Sequence, residues 1–239
     1  MGVRRRNIMK KVLSLILVIA AIACMMVGCN KVDPNAKSEG TMTYEQYAAA
    51  KVNDAVVIEG FVQAKQSWWD NKASIYLQDG NGGYFVYEMA CTEELYNQLT
   101  VGTKIKVTGY KGEWAGEVEV MDGTCEIVGE DNWVAKATDV TDLLGKDELI
   151  DKQNMLVTCK GMTVKAISFK GGAAGDDIYV TLTKDGSEYS FCVERYLTGP
   201  DTAVYKAVSE LKEGDVIDVE CFLYWWEGPN PHITAVTKK

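Results

Sequence analysis

Tryptophan side chains are the groups in this chain best suited to contact a ligand. Two pairs of adjacent tryptophans occur, Trp68–Trp69 and Trp225–Trp226, and Trp114 lies in another segment with the composition of a turn. An indole ring exposed on a loop stacks on the flat face of a nucleobase or a sugar ring. Because adjacent residues of a strand or hairpin point to opposite sides, at most one tryptophan of each pair is expected in a core. The other then meets solvent, a neighbouring domain or a partner.

The sequence offers little for catalysis or for metal binding. Its single histidine, His232, follows Pro-Asn-Pro, so we expect it at the surface rather than in a Ser-His or Cys-His site. The run Asp79–Gly83 resembles a calcium loop only in part, because Tyr84 stands where that loop requires glycine. We predict a hairpin turn there instead. With no HExxH, GxSxG, P-loop or dinucleotide glycine pattern, we expect no enzymatic activity, metal or other cofactor.

The first 28 residues have the composition of an export signal. Five basic residues precede an apolar run over residues 12–27, which is shorter than the roughly 20 residues needed to span a bilayer. The run ends in Val27-Gly28-Cys29, and a cysteine directly after the cut resembles the lipobox of bacterial lipoproteins. A second cut before Cys24 is open. We favour lipidation of Cys29, because polar sequence starts directly after it.

The lipobox resemblance implies a palmitate-bearing protein, held through its lipid anchor at the extracytoplasmic face of a bacterial cell membrane. Residues 1–28 hold five basic residues and no acidic one, so the remainder carries 20 Lys and Arg against 34 Asp and Glu, a formal charge of −14. Such a surface repels nucleic acid and anionic lipid, which proteins bind through Lys and Arg. Nucleic acid is therefore a disfavoured partner, and the acyl chains must supply membrane binding.

The rest of the chain contains one order of elements twice. Val56–Val62 and Leu156–Met162 each predict a first strand with a glycine at its bend. Val101–Val107 and Glu213–Val219 match as the start of a fourth strand. Each copy has two more strands and a helix between these segments, and a fifth strand closes it. Strand, strand, strand, helix, strand, strand is the order of an OB-fold.

We therefore predict an all-β chain with minor helix, built as two tandem OB-fold-like five-stranded Greek-key barrels. It resembles the tandem OB-fold modules of secreted bacterial proteins, including lipoproteins of unassigned role and modules attached to extracellular nucleases. The capping pattern Thr43-Tyr44-Glu45-Gln46 predicts a short helix before the first module. The expected division is a signal peptide at 1–28, a lipidated cysteine with flexible tether and short helix at 29–52, module 1 at 53–129, a linker with a short helix at 130–154, and module 2 at 155–239.

Seven aromatic residues fall in loops, or on the outer strand face, around the usual binding face of an OB-fold. They are Trp68, Trp69, Tyr76 and Trp114 in module 1, and Tyr179, Trp225 and Trp226 in module 2. Tyr76 and Tyr179 alternate with inward residues of the second strand, so we expect both to point outward onto that face. Burial of these aromatic side chains against the neighbouring module is the open alternative.

The leading interpretation is a membrane-anchored binding or adaptor lipoprotein without catalysis, whose aromatic residues bind a glycan or a peptide. One alternative is a protein that binds single-stranded nucleic acid, which requires Lys65, Lys72 and Lys111 to gather around the tryptophans. Another is a structural subunit of an envelope complex, with the aromatic residues buried against an envelope protein.

The cysteines support neither a zinc ribbon nor a redox site, because they are odd in number beyond the anchor and show no CxxC spacing. They are Cys91, Cys125, Cys159, Cys192 and Cys221. Cys159 and Cys221 lie on strands that pair in an OB-fold, and both alternate inward. We expect a buried, reduced pair in the second core.

Overall fold

The first barrel follows a short helix. The computed structural model describes residues 32–239, so the predicted signal peptide, Cys24 and Cys29 lie outside the described residues. Helix α1 (Tyr44–Ala49) begins at the capping box of Thr43 and Gln46, as predicted. Barrel 1 then consists of β1 (Ala55–Lys65), β2 (Lys72–Gln78), β3 (Gly83–Ala90), helix α2 (Glu93–Gln98), β4 (Thr103–Trp114) and β5 (Glu117–Asn132). Within the described range, no helix is long and apolar enough to cross a membrane.

The linker adds one strand that the repeat did not predict. Strand β6 (Thr138–Asp139) pairs in parallel with the first strand of the second barrel. Two 3-10 helices follow at Thr141–Leu143 and Asp147–Lys152, where a short helix was expected. Barrel 2 consists of β7 (Leu156–Phe169), β8 (Ile178–Lys184), β9 (Ser187–Val193), helix α3 (Ala203–Ser209), β10 (Val216–Phe222) and β11 (His232–Lys238), with a 3-10 turn at Lys170–Gly172.

Strand pairing closes both barrels in the order of an OB-fold. Barrel 1 runs β1-β2-β3-β5-β4 and closes through antiparallel pairing of β1 with β4. Barrel 2 runs β7-β8-β9-β11-β10 and closes through the pairing of β10 with β7. In each barrel the third and fifth strands pair in parallel, and the other pairs are antiparallel. The predicted fold of both modules, two five-stranded Greek-key barrels, is therefore confirmed.

Alternating apolar residues fill each barrel with its own core. Ile58, Ile75 and Val107 are fully buried in barrel 1, and the second core includes both Cys159 and Cys221. These two thiols are free and buried, as expected, and burial raises the pKa of Cys221 well above its ordinary value. The alternation of strand residues thus predicted the inward face of both barrels.

The segment before helix α1 packs on barrel 1. The Lys37 ammonium donates to a carboxylate oxygen of Asp79 at 2.7 Å and to the backbone carbonyl of Glu59. The fully buried Glu59 carboxylate also accepts from the Ser38 backbone N–H at 3.1 Å and lies 3.2 Å from the Lys104 ammonium. The structure therefore differs from the flexible tether expected here, because these buried ion pairs hold the segment in place.

The two barrels pack directly on each other within one compact unit, Asp33–Lys239. The ring of Tyr76, on the outer face of β2, stacks on Phe222 of barrel 2 with centroids 4.3 Å apart and planes 8° apart. Gly83 touches the backbone of the linker so closely that a Cβ there would lie 2.3 Å from the Asn154 carbonyl carbon. Main-chain and ring contacts thus fix the orientation of one barrel against the other.

Candidate ligand-binding cleft

A tight turn between β1 and β2 projects Trp69 into solvent. The backbone N–H and carbonyl of Trp69 exchange hydrogen bonds with those of Lys72, at 3.1 and 2.9 Å. The two turn residues, Asp70 and Asn71, both have positive φ, at 48° and 59°. Asp and Asn tolerate this left-handed conformation, which a two-residue hairpin turn of this kind requires. As a result Trp69 is 80% exposed.

Trp68 forms the fixed wall beside this turn. Its indole N–H donates to the backbone carbonyl of Cys91 at 2.8 Å, and the ring is half-buried. The Cys91 backbone N–H in turn donates to the Asn71 carbonyl at 2.8 Å. The two neighbouring tryptophans thus differ as predicted, one anchored and one exposed.

Both barrels contribute to the cleft that lies next to this turn. Its volume is about 600 Å³, within the range of small-molecule sites. The lining residues are Gln66, Ser67, Trp68, Trp69, Lys72, Ala73, Ser74, Tyr87 and Glu88 of barrel 1, and Arg195 and Tyr196 of barrel 2. The Tyr196 carbonyl accepts from the Ser67 backbone N–H at 2.8 Å, and the Gln66 amide donates to Glu194 at 3.1 Å. These bonds hold the barrel 2 loop against the barrel 1 turn.

The charged side chains of the cleft are paired with carboxylates. The Lys72 ammonium lies 2.7 Å from Glu88, and this hydrogen bond lowers the pKa of the Glu88 carboxyl. Arg195 lies 3.7 Å from Asp176, and its guanidinium sits 5.1 Å from the centroid of the Tyr196 ring. The cleft therefore combines exposed aromatic faces with polar groups and little unpaired charge.

The predicted aromatic residues separate into three places. Trp68 and Trp69 line the cleft. Tyr76 is fully buried between the barrels, so the expectation that it is exposed is wrong: it does point outward from barrel 1, but barrel 2 covers that face. Trp114 instead lies near Trp226, with ring centroids 6.2 Å apart and exposed fractions of 60% and 49%.

The remaining aromatic residues belong to barrel 2. Trp225 packs against the core of that barrel and next to Gly116, so this pair of adjacent tryptophans also divides into a covered and an exposed ring. Tyr179 points outward from β8 and is 41% exposed, as expected, but it does not line the cleft.

Comparisons with known proteins add little to this geometry. No protein-family model matches the chain, and no curated protein matches it. A murine DNA-binding protein bound to double-stranded DNA is 12% identical, with a TM-score of 0.36 over 78% of this chain and 97% of that chain. The p204 HINb domain is 9% identical, with a TM-score of 0.35 over 80% of this chain and all of that chain.

A replication protein A heterotrimer bound to single-stranded DNA is also similar. The identity is 12% and the TM-score 0.33, over 80% of this chain and 51% of that chain. At TM-scores this low, it is the strand pairing described above that establishes the OB-fold, and the similarity does not indicate what this chain binds.

His232 is a buried residue and not the surface histidine that its loop sequence predicted. It is 5% exposed, and its Nδ1 lies 2.9 Å from the Tyr76 hydroxyl at the barrel interface. Burial lowers the pKa of His232 to about 3, so the imidazole is neutral at ordinary pH. The surface expectation failed because barrel 1 covers the start of β11.

The lysines proposed to surround the tryptophans do not gather there. Lys72 lines the cleft, but the Lys65 ammonium bonds to the Tyr96 carbonyl and lies over the Tyr96 ring. Lys111 is buried and donates to the last carbonyls of helix α1. One of the three lysines is therefore placed to meet a ligand in the cleft.

Asp79–Gly83 forms the hairpin turn between β2 and β3, as predicted. The Asp79 carboxylate accepts from the Tyr84 hydroxyl at 2.7 Å and from the Gly82 backbone N–H at 2.9 Å. Among residues 32–239, no group of three or more His, Cys, Asp and Glu side chains is arranged to hold a metal ion.

Sequence reasoning named Trp68, Trp69 and Lys72 and missed the other eight lining residues of the cleft, among them Tyr87, Arg195 and Tyr196. Tyr196 lies where the second copy carries extra loop sequence, and that insertion was the available signal. Tyr87 is 43% exposed on β3, next to Glu88, whose positive φ of 44° breaks the alternation of the strand. This irregularity could not be read from the sequence.

Proposed function

We propose that this chain is a binding protein, without catalysis, that holds a ring-bearing ligand in the cleft between the barrels. The observation that carries the proposal is the indole of Trp69, 80% exposed at the rim of a 600 Å³ cleft that Trp68, Tyr87 and Tyr196 also line. Exposed large aromatic side chains at a concave site are typical of ligand contact. The hydrogen-bonded backbone of the turn is already ordered, so binding at the ring costs little backbone entropy.

A glycan is the ligand class that fits the cleft best. Sugar rings stack on indole and phenol faces, and their hydroxyls bond to groups such as Lys72, Glu88 and Ser67. The cations of the cleft are already paired with carboxylates, and the chain beyond residue 28 is strongly acidic, so a neutral ligand meets no electrostatic barrier. A peptide with an aromatic or proline ring is the other member of this class of neutral ligands.

Single-stranded nucleic acid is a second candidate, favoured by the position of Arg195. Its guanidinium lies beside Tyr196, and Lys72 lines the same cleft, so a ligand there would meet two cations as well as aromatic rings. Base stacking combined with phosphate contacts is how such sites hold single strands. For this candidate, the ligand must replace Glu88 as the partner of Lys72 and Asp176 as the partner of Arg195.

Export and lipid anchoring complete the proposal. Their support is the basic and apolar composition of residues 1–28 and the lipobox-like cysteine that follows. Labelling of cells with a palmitate analogue tests this part directly. We expect the label in the wild type and in Cys24→Ser, and its loss in Cys29→Ser; loss in Cys24→Ser alone would move the anchor to Cys24.

Tryptophan fluorescence of the full chain in a detergent without sugar head groups tests the binding role. The titrants are a panel of envelope and plant glycans and, separately, single-stranded oligonucleotides, each at low and moderate salt. Trp69→Ala removes the exposed ring of the cleft, and Trp226→Ala is the matched control, because it removes an exposed tryptophan elsewhere.

A saturable change with a glycan that is insensitive to salt, lost in Trp69→Ala and kept in Trp226→Ala, supports the glycan-binding cleft. A response to oligonucleotide that weakens steeply with salt supports the second candidate. Silence with every titrant, or a response that Trp69→Ala leaves unchanged, contradicts both and favours a structural role in an envelope complex.

A further inference from the structure

A second aromatic surface, separate from the cleft, lies where the β4–β5 turn of barrel 1 meets the β10–β11 loop of barrel 2. It consists of Trp114 and Trp226, whose ring centroids are 6.2 Å apart and whose planes are 52° apart. Their exposed fractions are 60% and 49%, and neither side chain lines the cleft. Since each barrel contributes one ring, this pair of indoles forms only in the docked tandem.

The backbone that carries the two rings is ordered by hydrogen bonds. Trp114 precedes the two-residue turn of Ala115 and Gly116, whose φ angles of 51° and 89° are those of a tight hairpin. The backbone N–H of Glu227, which follows Trp226, donates to the Ala115 carbonyl at 2.7 Å. This bond joins the loops of the two barrels, so a partner that contacts both rings orders little backbone of this chain.

The packing of the barrels does not account for the exposure of these rings. Trp225 already packs against the core of barrel 2 and next to Gly116, so it fills the space between the two loops. Trp226 and Trp114 lie outside it, largely in solvent. Single apolar side chains at the surface are ordinary, but large apolar rings grouped at a surface mark an interaction site.

The segments that meet at this surface are acidic. The Gln153 side chain donates to the Gly116 carbonyl at 2.8 Å, which places the end of the linker beside the β4–β5 turn. Residues 113–117, 146–153 and 224–231 carry five exposed acidic residues against two lysines. The acidic residues are Glu113, Asp147, Glu148, Asp151 and Glu227, and the lysines are Lys146 and Lys152.

These five carboxylates are not neutralised by the chain itself. Within residues 32–239, none of them forms an ion pair. Charge complementarity therefore favours a cationic partner at this surface. A second copy of this acidic chain, or a nucleic acid, would meet like charge here.

Arginine is the cation that suits both the indole rings and the carboxylates. Its planar guanidinium is weakly hydrated, stacks on aromatic faces and donates to carboxylates, whereas the lysine ammonium is strongly hydrated. The chain contains such a contact itself, where the Arg195 guanidinium lies 5.1 Å from the centroid of the Tyr196 ring. Because the carboxylates are spread over three segments, a peptide with several basic residues meets more of them than a single small cation does.

We infer that Trp114 and Trp226 form a docking surface for a basic segment of a partner protein. An arginine side chain of that segment stacks on the indoles, and further basic residues face the five carboxylates. The inference does not depend on the ligand of the cleft, because the cleft and this surface share no residue.

Calorimetric titration of the full chain, at low salt and in an uncharged detergent, tests the inference. The probe is the acetylated, amidated peptide Gly-Arg-Gly-Arg-Gly. The same peptide with citrulline keeps the side-chain shape without the charge, and the same peptide with lysine keeps the charge without the planar group. Trp114→Ala and Trp226→Ala each remove one ring, and Trp69→Ala, which removes an exposed tryptophan of the cleft, is the matched control.

The expected result is saturable binding of the arginine peptide by the wild type and by Trp69→Ala, weakened about fivefold in Trp114→Ala and in Trp226→Ala. The lysine peptide binds more weakly, the citrulline peptide does not bind, and added salt weakens binding. The two variants lie on different barrels, so a folding defect in one leaves the other as the test. Equal binding of the citrulline or the lysine peptide, no binding of any peptide, or binding that both variants retain in full overturns the inference.

Discussion

At the scale of single residues, Tyr76 of barrel 1 and His232 of barrel 2 meet where the two barrels pack together. The pattern of β2 correctly directs Tyr76 out of barrel 1, and the loop sequence before His232 is that of a surface turn. Both side chains are nevertheless buried, because barrel 2 covers Tyr76 and barrel 1 covers His232, and the Tyr76 hydroxyl lies 2.9 Å from His232 Nδ1. The outer face of a barrel that a neighbouring domain covers is determined by long-range packing. The local periodicity of a strand does not encode this packing.

The directions of the adjacent side chains Trp68 and Trp69, by contrast, follow from a local rule. Two neighbours on a hairpin face opposite sides, so at most one of Trp68 and Trp69 could enter the core whatever the domain arrangement. Trp68 is half-buried, with its indole N–H on the Cys91 carbonyl, and Trp69 is exposed at the Asp70–Asn71 turn. Both tryptophans line the cleft, so half of the predicted first site is found there.

Glu117 makes the stability of the chain depend on pH. Its pKa in the folded protein, about 8, exceeds the ordinary value of 4.5, so the folded state binds the proton more tightly than the unfolded state. The stabilisation is complete below pH 4.5 and is lost as the pH rises through 8. Glu119, with a pKa raised to about 7 by burial and then by Glu88, acts in the same direction.

We therefore expect the wild type to unfold more easily at pH 8 than at pH 5, and Glu117→Gln to reduce this loss by on the order of 3 kcal/mol. Urea denaturation at both pH values measures it. Glu113→Gln, at an exposed position near the same β4–β5 turn, is the control and should follow the wild type. Equal pH dependence in wild type and Glu117→Gln would show that this carboxyl does not titrate as its burial requires.

At the scale of elements, the repeat predicted nearly every strand and helix of the barrels. In each copy, one glycine-containing segment predicted the first strand and another predicted the fourth. These two strands pair with each other and close the barrel. Strand β6 escaped prediction because two residues are too few to show a period. The packing of the segment before α1 against barrel 1 was not predicted either, because it depends on Lys37 reaching Asp79 and Glu59, which are distant in sequence.

Helix α1 depends on a lysine from another element. The six-residue helix is too short to persist by itself, and the Lys111 ammonium satisfies its last carbonyls. Lys111→Met keeps the aliphatic stem but removes this donor from the Ala48 and Ala50 carbonyls and leaves the Tyr47 carbonyl with the Ala50 N–H alone. We expect the free energy of unfolding to fall by about 2 kcal/mol and the amide protons of α1 to exchange faster.

Hydrogen exchange followed by mass spectrometry or NMR measures the second effect. Lys106→Met, on the same strand but not directed at the helix, is the matched control and should leave the exchange of α1 unchanged. Slow exchange of α1 in both variants would mean that the helix is held by its contacts with barrel 1 and not by the lysine.

At the scale of the whole molecule, the tandem is one unit and not two modules on a linker. The linker backbone lies against Gly83, the Trp225 backbone N–H donates to Glu117 at 2.8 Å, and Tyr76 stacks on Phe222. These contacts cover the outer side of β2 and β3 at Tyr76 and Gly83, on the face that OB-folds commonly use for ligands. They also create the cleft, because Arg195 and Tyr196 reach it only when the barrels are docked.

We expect the described part of the chain to unfold in a single transition and Gly83→Ala to divide it into two. A Cβ at this position would lie 2.3 Å from the Asn154 carbonyl carbon and 2.5 Å from the Met155 nitrogen, so the backbone that joins the barrels must move away from barrel 1. Gly123→Ala is the control, because its nearest contact is a side chain of barrel 1 at 3.2 Å. Calorimetry distinguishes the outcomes, and a single unchanged transition in Gly83→Ala would contradict the account of the interface.

Contact of a ligand with Trp69 in the cleft can be measured residue by residue through the indole N–H signals of a ¹⁵N-labelled chain. Assigned by single substitutions, these signals report each tryptophan separately during titration with a glycan or an oligonucleotide. We expect the Trp69 and Trp68 signals to shift first and together, while the Trp226 signal stays in place. Shifts confined to Trp114 and Trp226, with the Trp69 signal unmoved at saturation, would show that the ligand does not bind in the cleft.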